Sequence, residues 1–182
     1  MSKTFKILIS IIFGLFIIIG IVFLYLQKKE TKIETNFSCY KIEEKNILGS
    51  SMYPTLTNGE KVKGLVGYYN CNEIKRGEMI ILEFQTREET FVKRIIGLPG
   101  DSLEFTKESF AKLNGEVLKN SQGQPYLFSS QSQKILSIPL ESGKISQVSY
   151  FILGEEQGPA TFDSRQFGFV EKDHLKGKVI TK

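Results

Sequence analysis

From Ile7 to Leu26 the chain runs for twenty residues in which only Ser10, Gly14 and Gly20 fall outside the hydrophobic set and no charge intervenes. As a helix rising about 1.5 Å per residue, such a run reaches roughly 30 Å, the depth of a bilayer's hydrocarbon core. A helix also satisfies its own backbone hydrogen bonds there. The pattern predicts one transmembrane helix over residues 7–27, with residues 1–6 on one side and residues 28–182 forming a domain on the other. A removable secretory signal would have a shorter apolar region and a small-x-small site of the Ala-x-Ala kind. No alanine precedes Ala111, and Leu26 is followed by Gln27, Lys28, Lys29 and Glu30, so the segment reads as a retained anchor. Charge counting does not orient it, because Lys3, Lys6 and the amino terminus oppose Lys28, Lys29 and Lys32.

The remainder has the size of a single domain. With 24 basic and 20 acidic residues the formal net charge is +4, without a basic run, which argues against a nucleic-acid partner. His174 is the only histidine, so no multi-histidine metal site can form. It sits near the C-terminus and reads as a turn or strand residue. Cys39 and Cys71 lack zinc-site spacing; they either pair as one disulfide in an oxidising compartment or remain two buried thiols.

Beyond the anchor, short β-type runs alternate with turn signals. Strands are expected over residues 61–66, 79–84, 90–96, 102–106, 147–153 and 177–181, separated by Asn58-Gly59, Arg76-Gly77, Pro99-Gly100, Asn114-Gly115 and Ser142-Gly143. The fold class is mainly β and antiparallel. Residues 106–146, richer in serine, glutamine and lysine, read as an inserted β subdomain with a hairpin at Asn114-Gly115.

Two segments carry candidate chemistry. In Gly49-Ser50-Ser51-Met52-Tyr53-Pro54-Thr55-Leu56 the glycine and proline make a sharp, rigid turn that can expose the Ser51 hydroxyl and bring backbone N–H groups near a developing oxyanion. In the segment from Phe91 to Asp101, Lys93 interrupts an apolar strand beside Arg94. Turned inward, its ammonium would be desolvated and its pKa lowered, yielding a general base in a chain with a single histidine. Turned outward, it would simply pair with a surface carboxylate. Strand alternation alone does not choose.

Ser51-Met52-Tyr53-Pro54-Thr55-Leu56 and Val92-Lys93-Arg94-Ile95-Ile96-Gly97-Leu98-Pro99-Gly100-Asp101 resemble two signature segments of the type I signal peptidases, in that family's order. Arg76-Gly77-Glu78-Met79-Ile80-Ile81 is similar to a further core strand, and Gly154 with Asp163-Ser164-Arg165 and Gly168 to the last signature. The single anchor and short chain resemble the Gram-positive branch. The resemblance implies Ser51 as nucleophile and Lys93 as general base. Gly49 stands where Gram-negative members have serine, so the oxyanion would rest on the Ser51 N–H alone. Asp163 and Arg165 look like a structural ion pair near the site, beside Ser164. The segment from Glu155 to Phe162 is one residue longer than usual and lacks the family's Asp-Asn-Arg, yet Thr161 keeps a hydroxyl where the family commonly orients the lysine.

On the same resemblance, Ile47, Met52, Leu56, Phe91 and Val92 surround shallow pockets for small residues. The implied reaction is removal of signal peptides from secreted precursors at the outer face of the plasma membrane, with the short N-terminus inside and no metal or organic cofactor. Precursors, the membrane and the secretion translocon are the implied partners. A signal-peptidase-like pilus assembly factor lacking the catalytic pair is the alternative, against which both Ser51 and Lys93 are retained. A soluble serine-lysine repressor shares the dyad, but has a DNA-binding head where this chain has an apolar span.

Overall fold

Side chains along Lys61–Val66 alternate between exposed and buried, and those along Met79–Glu83 are buried on both faces, so the first strand borders solvent and the second is central. The computed structural model describes residues 16–21, 23, 39–84, 89–157 and 161–181. Two units divide the chain, residues 1–39 and 40–182. In the first, residues 16–21 and 23 are helical; the rest of the expected 7–27 span lies outside the described residues. Among the described residues, no helix is long and apolar enough to cross a membrane.

Among the described residues, the second unit has ten strands: β1 Lys41–Asn46, β2 Lys61–Val66, β3 Met79–Glu83, β4 Thr90–Gly97, β5 Leu103–Phe105, β6 Ala111–Leu113, β7 Glu116–Val117, β8 Ser149–Leu153, β9 Val170–Glu171 and β10 Leu175–Ile180. Seven form one sheet in the order β1-β2-β10-β3-β4-β8-β9, and β5-β6-β7 form a second. Every pairing is antiparallel, as the turn-rich pattern predicts. The Asn114-Gly115 hairpin joins β6 to β7 with Leu113 opposite Glu116, both turn residues having positive φ.

β3 shows how one strand serves two cores. Ile80 and Leu82 enter a cluster with Ile95, Ile152 and Tyr69, whereas Ile81 faces a second cluster with Ile47, Met52, Leu56, Val62 and Val179. A third core joins the small sheet to β8 through Leu103, Leu113, Phe128, Phe151 and Leu153. It also receives Leu136 from α1, Ser130–Ser137, a helix for which the serine- and glutamine-rich sequence gave no expectation. Its start is capped by the Ser129 hydroxyl, which accepts from the Ser132 N–H at 3.1 Å. Both cysteines are disulfide-bonded, the one bond that two cysteines permit.

Leu136 is fully buried in that third core, so truncation leaves a cavity the sheet cannot close. Leu136→Ala is expected to destabilise the domain by about 2–5 kcal/mol. Urea unfolding should show a lower midpoint at an unchanged slope.

Candidate active site

The turn carrying Ser51 is fixed from several directions. Gly49 holds φ +84°, a conformation strained for side-chain-bearing residues, and its N–H donates to Asn58 Oδ1 at 2.9 Å. Tyr53 N–H donates to Ser50 O at 2.7 Å and Leu56 N–H to Met52 O at 2.8 Å. The Ser51 carbonyl accepts from the N–H groups of Glu155 and Glu156, at 2.8 and 3.3 Å, just beyond β8. A Cβ on Gly154 would come within 2.6 Å of that carbonyl, so only glycine lets the end of β8 approach this closely.

Lys93 lies on β4 with its side chain inward. The residue is 2% exposed, and its Nζ donates to Ser51 Oγ at 2.7 Å and to Val92 O at 3.0 Å. Burial draws its pKa from 10.5 down to about 8, with the Asp163 carboxylate opposing the shift and the Arg165 guanidinium adding to it. The two residues that the sequence singled out are therefore in contact, although 42 positions apart.

Behind them, Asp163 and Arg165 form a buried ion pair across α2, Ser164–Phe167. Asp163 Oδ2 accepts from Arg165 Nη2 at 2.6 Å and from the Gly154 N–H at 2.8 Å, while Oδ1 accepts from Arg165 Nε at 3.0 Å. Arg165 Nη2 also donates to Glu156 O at 2.8 Å and to Thr161 Oγ1 at 3.0 Å. Thr161 is 2% exposed, so the longer loop leaves it inside the protein. Ser164 Oγ accepts from the Ile152 N–H at 3.0 Å, which ties α2 to β8. Residues 158–160 lie outside the described residues.

A second ion pair was not anticipated. Arg94, which leaves β4 on the face opposite Lys93, donates through Nε to Glu155 Oε1 at 2.8 Å and through Nη1 to Gly77 O at 2.7 Å. Burial alone would raise the Glu155 carboxyl, but the Ser121 N–H and Arg94 hold it below its ordinary value. Thr55 of the Ser51 turn donates to the same oxygen at 3.3 Å. Arg94 was visible as a charge in an apolar strand. Its partner lies 61 residues away, and no local spacing signals it.

A groove of about 490 Å³ opens at Ser51. Ile47, Met52, Phe91 and Val92 line it, together with Ile81 and Val179 from the intervening strands β3 and β10. For the end of β1 to face the start of β4 across β2, β10 and β3, the sheet must curl. Of the expected pocket residues, Leu56 alone is not in the lining: it is fully buried in the cluster beneath, with Met52 and Val62. Ile81 and Val179 went unrecognised because they come from strands distant in sequence. His174 stands elsewhere, its ring 5.1 Å from that of Phe84 and its Nδ1 2.9 Å from Asp173. Among the described residues no cluster of histidine, cysteine and acidic side chains is arranged to hold a metal ion.

A family model described as Signal peptidase, peptidase S26 matches residues 6–182. The chain is 30% identical to Signal peptidase IB of Staphylococcus aureus (strain COL) over 142 residues, 73% of each chain. It is 31% identical to Signal peptidase I of Bacillus amyloliquefaciens over 136 residues, covering 71% of this chain and 67% of that one. A crystal structure of a signal peptidase I from Enterococcus faecalis is similar at 27% identity, with a TM-score of 0.45, covering 60% of this chain and 98% of that one.

Keeping an amine buried costs stability wherever the unfolded chain would hold the proton more tightly. With a native pKa of about 8 against 10.5, and 1.36 kcal/mol per pKa unit, the penalty is about 3 kcal/mol. It is full below pH 8, shrinks as pH rises through that window, and vanishes above 10.5 because both states are then neutral. Lys93→Met is therefore expected to stabilise the domain by about 3 kcal/mol at pH 7, with a gain that disappears towards pH 10.5. Urea titrations across that pH range check the trend.

Proposed function

The chain belongs to the signal peptidase family, and from that premise we propose that it is a membrane-anchored endopeptidase that removes signal peptides from secreted precursors, using Ser51 as nucleophile and Lys93 as general base. The observation that carries this reading is the 2.7 Å contact between Lys93 Nζ and Ser51 Oγ, made by a lysine that is 2% exposed. A serine hydroxyl is a poor nucleophile until a positioned base takes its proton. At a pKa of about 8, much of the Lys93 population is neutral under mildly alkaline conditions, and the amine lone pair can accept that proton.

Ser51 Oγ then attacks the scissile carbonyl carbon. Negative charge collects on the carbonyl oxygen, which the Ser51 N–H stabilises; among the described residues no backbone acceptor occupies that N–H. The Lys93 ammonium returns its proton to the departing amine, leaving an acyl-enzyme. Lys93 next deprotonates a water, whose attack releases the signal peptide and restores the serine. The apolar groove accepts small side chains next to the scissile bond.

The apolar run over residues 7–27 supports a single anchor. The disulfide supports an extracytoplasmic domain, since such bonds persist mainly in oxidising compartments. So placed, the domain meets precursors as they leave the translocon, and anchoring raises their effective concentration. A non-catalytic assembly role would have no need of the contact between Lys93 and Ser51.

Incubation of the full-length protein in detergent with a signal-bearing precursor tests the reading. Ser51→Ala, Lys93→Ala and the double variant should each abolish cleavage, with strongly non-additive losses. In the native protein kcat/KM should rise through pH 8 with the neutral amine, and His174→Ala should leave that profile in place. Substantial cleavage by either single variant rules out the dyad.

Thr161 is proposed to orient Lys93, because a neutral amine on a four-carbon stem needs a hydrogen-bonding partner to aim its lone pair. Its burial and its bond from Arg165 fix the oxygen that would do so. Thr161→Val is expected to lower kcat by about 10- to 100-fold with little change in KM, and Thr161→Ser to restore it. Equal activity in the valine variant removes the role.

A further inference from the structure

The segment that follows β8 is held from two sides. On one side it grips the Ser51 turn: the N–H groups of Glu155 and Glu156 donate to the Ser51 carbonyl, Glu156 Oε2 accepts from Ser50 Oγ at 2.8 Å, and Glu155 Oε1 accepts from Thr55 Oγ1 at 3.3 Å. On the other side it is gripped by residues 120–127, which lie within the inserted segment. We propose that Asn120 is a positioning residue for the dyad, holding the backbone of Glu155 and Glu156 where it fixes Ser51 against Lys93. The inference rests on the peptidase reading above and adds to it a residue that acts on Ser51 through Glu155.

Asn120 is buried, and its amide is fixed at both ends. Its Oδ1 accepts from the N–H groups of Gln122 and Gln124, at 3.1 and 2.9 Å, as asparagine commonly does in closing a tight turn. The backbone repeats the closure, with Gly123 N–H donating to Asn120 O and Asn120 N–H to Gln124 O, both at 2.9 Å. Nδ2 is left to donate to Glu155 O at 3.2 Å. The next residue adds a second tie, since Ser121 N–H donates to Glu155 Oε2 at 2.8 Å. Gln157 supplies a third: its Nε2 donates to Pro125 O at 2.8 Å, and its Oε1 accepts from Leu127 N–H at 3.1 Å. Between those two residues Tyr126 is buried in the third core, its ring 5.6 Å from the Arg165 guanidinium. The turn is therefore anchored to the body of the domain and not to the loop alone.

The carbonyl that Asn120 holds and the N–H of Glu156 belong to one planar peptide unit. One end of that plane accepts from Asn120 Nδ2, and the other donates to the Ser51 carbonyl at 3.3 Å. Without the asparagine donor the plane can rotate, and Ser51 then loses one of the two N–H groups that its carbonyl accepts. The nucleophile is sensitive to this because its Oγ must stay within hydrogen-bond reach of Lys93 Nζ, now 2.7 Å away. A misplacement of about 1 Å can cost on the order of 100-fold in rate. Ile47, Phe91 and Val92 line the groove from other parts of the chain, so a loosened Ser51 turn lowers kcat and leaves KM near its native value. A turn that merely stabilised the fold would alter neither constant per folded molecule.

The test uses full-length protein in detergent with a signal-bearing precursor. Asn120→Asp keeps an oxygen for the N–H groups of Gln122 and Gln124 but sets a second oxygen against Glu155 O in place of the donor. It is expected to lower kcat by about 10-fold with little change in KM. Gln157→Glu keeps the bond from Leu127 and loses the one to Pro125, and should lower kcat in the same direction by less. Leu103→Ala opens a cavity in the core that holds Tyr126 and should retain the native kcat per folded molecule. Hydrogen exchange gives a readout independent of turnover: the Glu155 and Glu156 amides should exchange about 10-fold faster in Asn120→Asp, with those of β3 and β4 unchanged. Native kcat in folded Asn120→Asp, or an equal loss per folded molecule in Leu103→Ala, overturns the proposal. If Asn120→Asp does not fold, native kcat in Gln157→Glu overturns it. Faster exchange at Glu155 and Glu156 in a protein that cleaves no precursor supports the hold of Asn120 on the Ser51 turn and removes the peptidase reading; cleavage with unchanged exchange and kcat in the variant does the reverse.

Discussion

A primary amine held 2% exposed against a serine hydroxyl is an expensive arrangement, and much of the surrounding structure exists to maintain it. Left to burial alone, Lys93 would lose its proton more readily still. The Asp163 carboxylate resists that shift while the Arg165 guanidinium promotes it, and because the two are themselves paired at 2.6 Å their fields largely offset. Desolvation is left as the dominant influence. The result is an amine that can be neutral in mildly alkaline solution.

Position matters as much as protonation, and here the backbone does what side chains cannot. Ser51 is held by its own carbonyl, which accepts from the two N–H groups following Gly154. Asp163 accepts from the Gly154 N–H and from both edges of Arg165, so the residue that tunes Lys93 also secures the strand end that holds Ser51. Arg94 and Glu155 repeat the logic on the other face, linking β4 to the Ser51 turn through Thr55. Ser51, Lys93 and the ion pairs are consequently one mechanical unit, in which a displacement of one element is felt by the others.

How much of this could be read from the sequence depended on how local each signal was. The Ser51 turn announced itself by glycine and proline at fixed offsets, β3 by an apolar run, and β4 by an apolar run that Lys93 and Arg94 interrupt. β1 did not, because Lys41–Asn46 is an edge strand whose side chains are largely charged and exposed. β9 is two residues long, and α1 is too short and polar for its periodicity to stand out. Lys93 was ambiguous from alternation alone; the family resemblance pointed it inward, where the structure has it. The link between Glu155 and Arg94, and a groove lining that includes Ile81 and Val179, arise only when distant strands become neighbours. Leu56 illustrates the converse: an apolar residue in the right motif packs under the groove because the turn directs it down while Met52 reaches the surface of the cavity.

The curl of the sheet connects these local facts to the shape of the groove. A flat sheet in this strand order would put three strands between β1 and β4 and leave no shared cavity. Curling brings both to one groove, whose lining also includes Ile81 of β3 and Val179 of β10. Because β1 is the edge of this sheet, paired with β2, most of its side chains are answerable to solvent, not to core packing. Substitutions there come at small cost to the fold, whereas Ile81 cannot vary without disturbing the buried cluster it shares with Met52 and Val62. The apolar lining of the groove is thus constrained by the same burial that lowers the pKa of Lys93, and the exposed edge strand is where one chain of this architecture can differ from another.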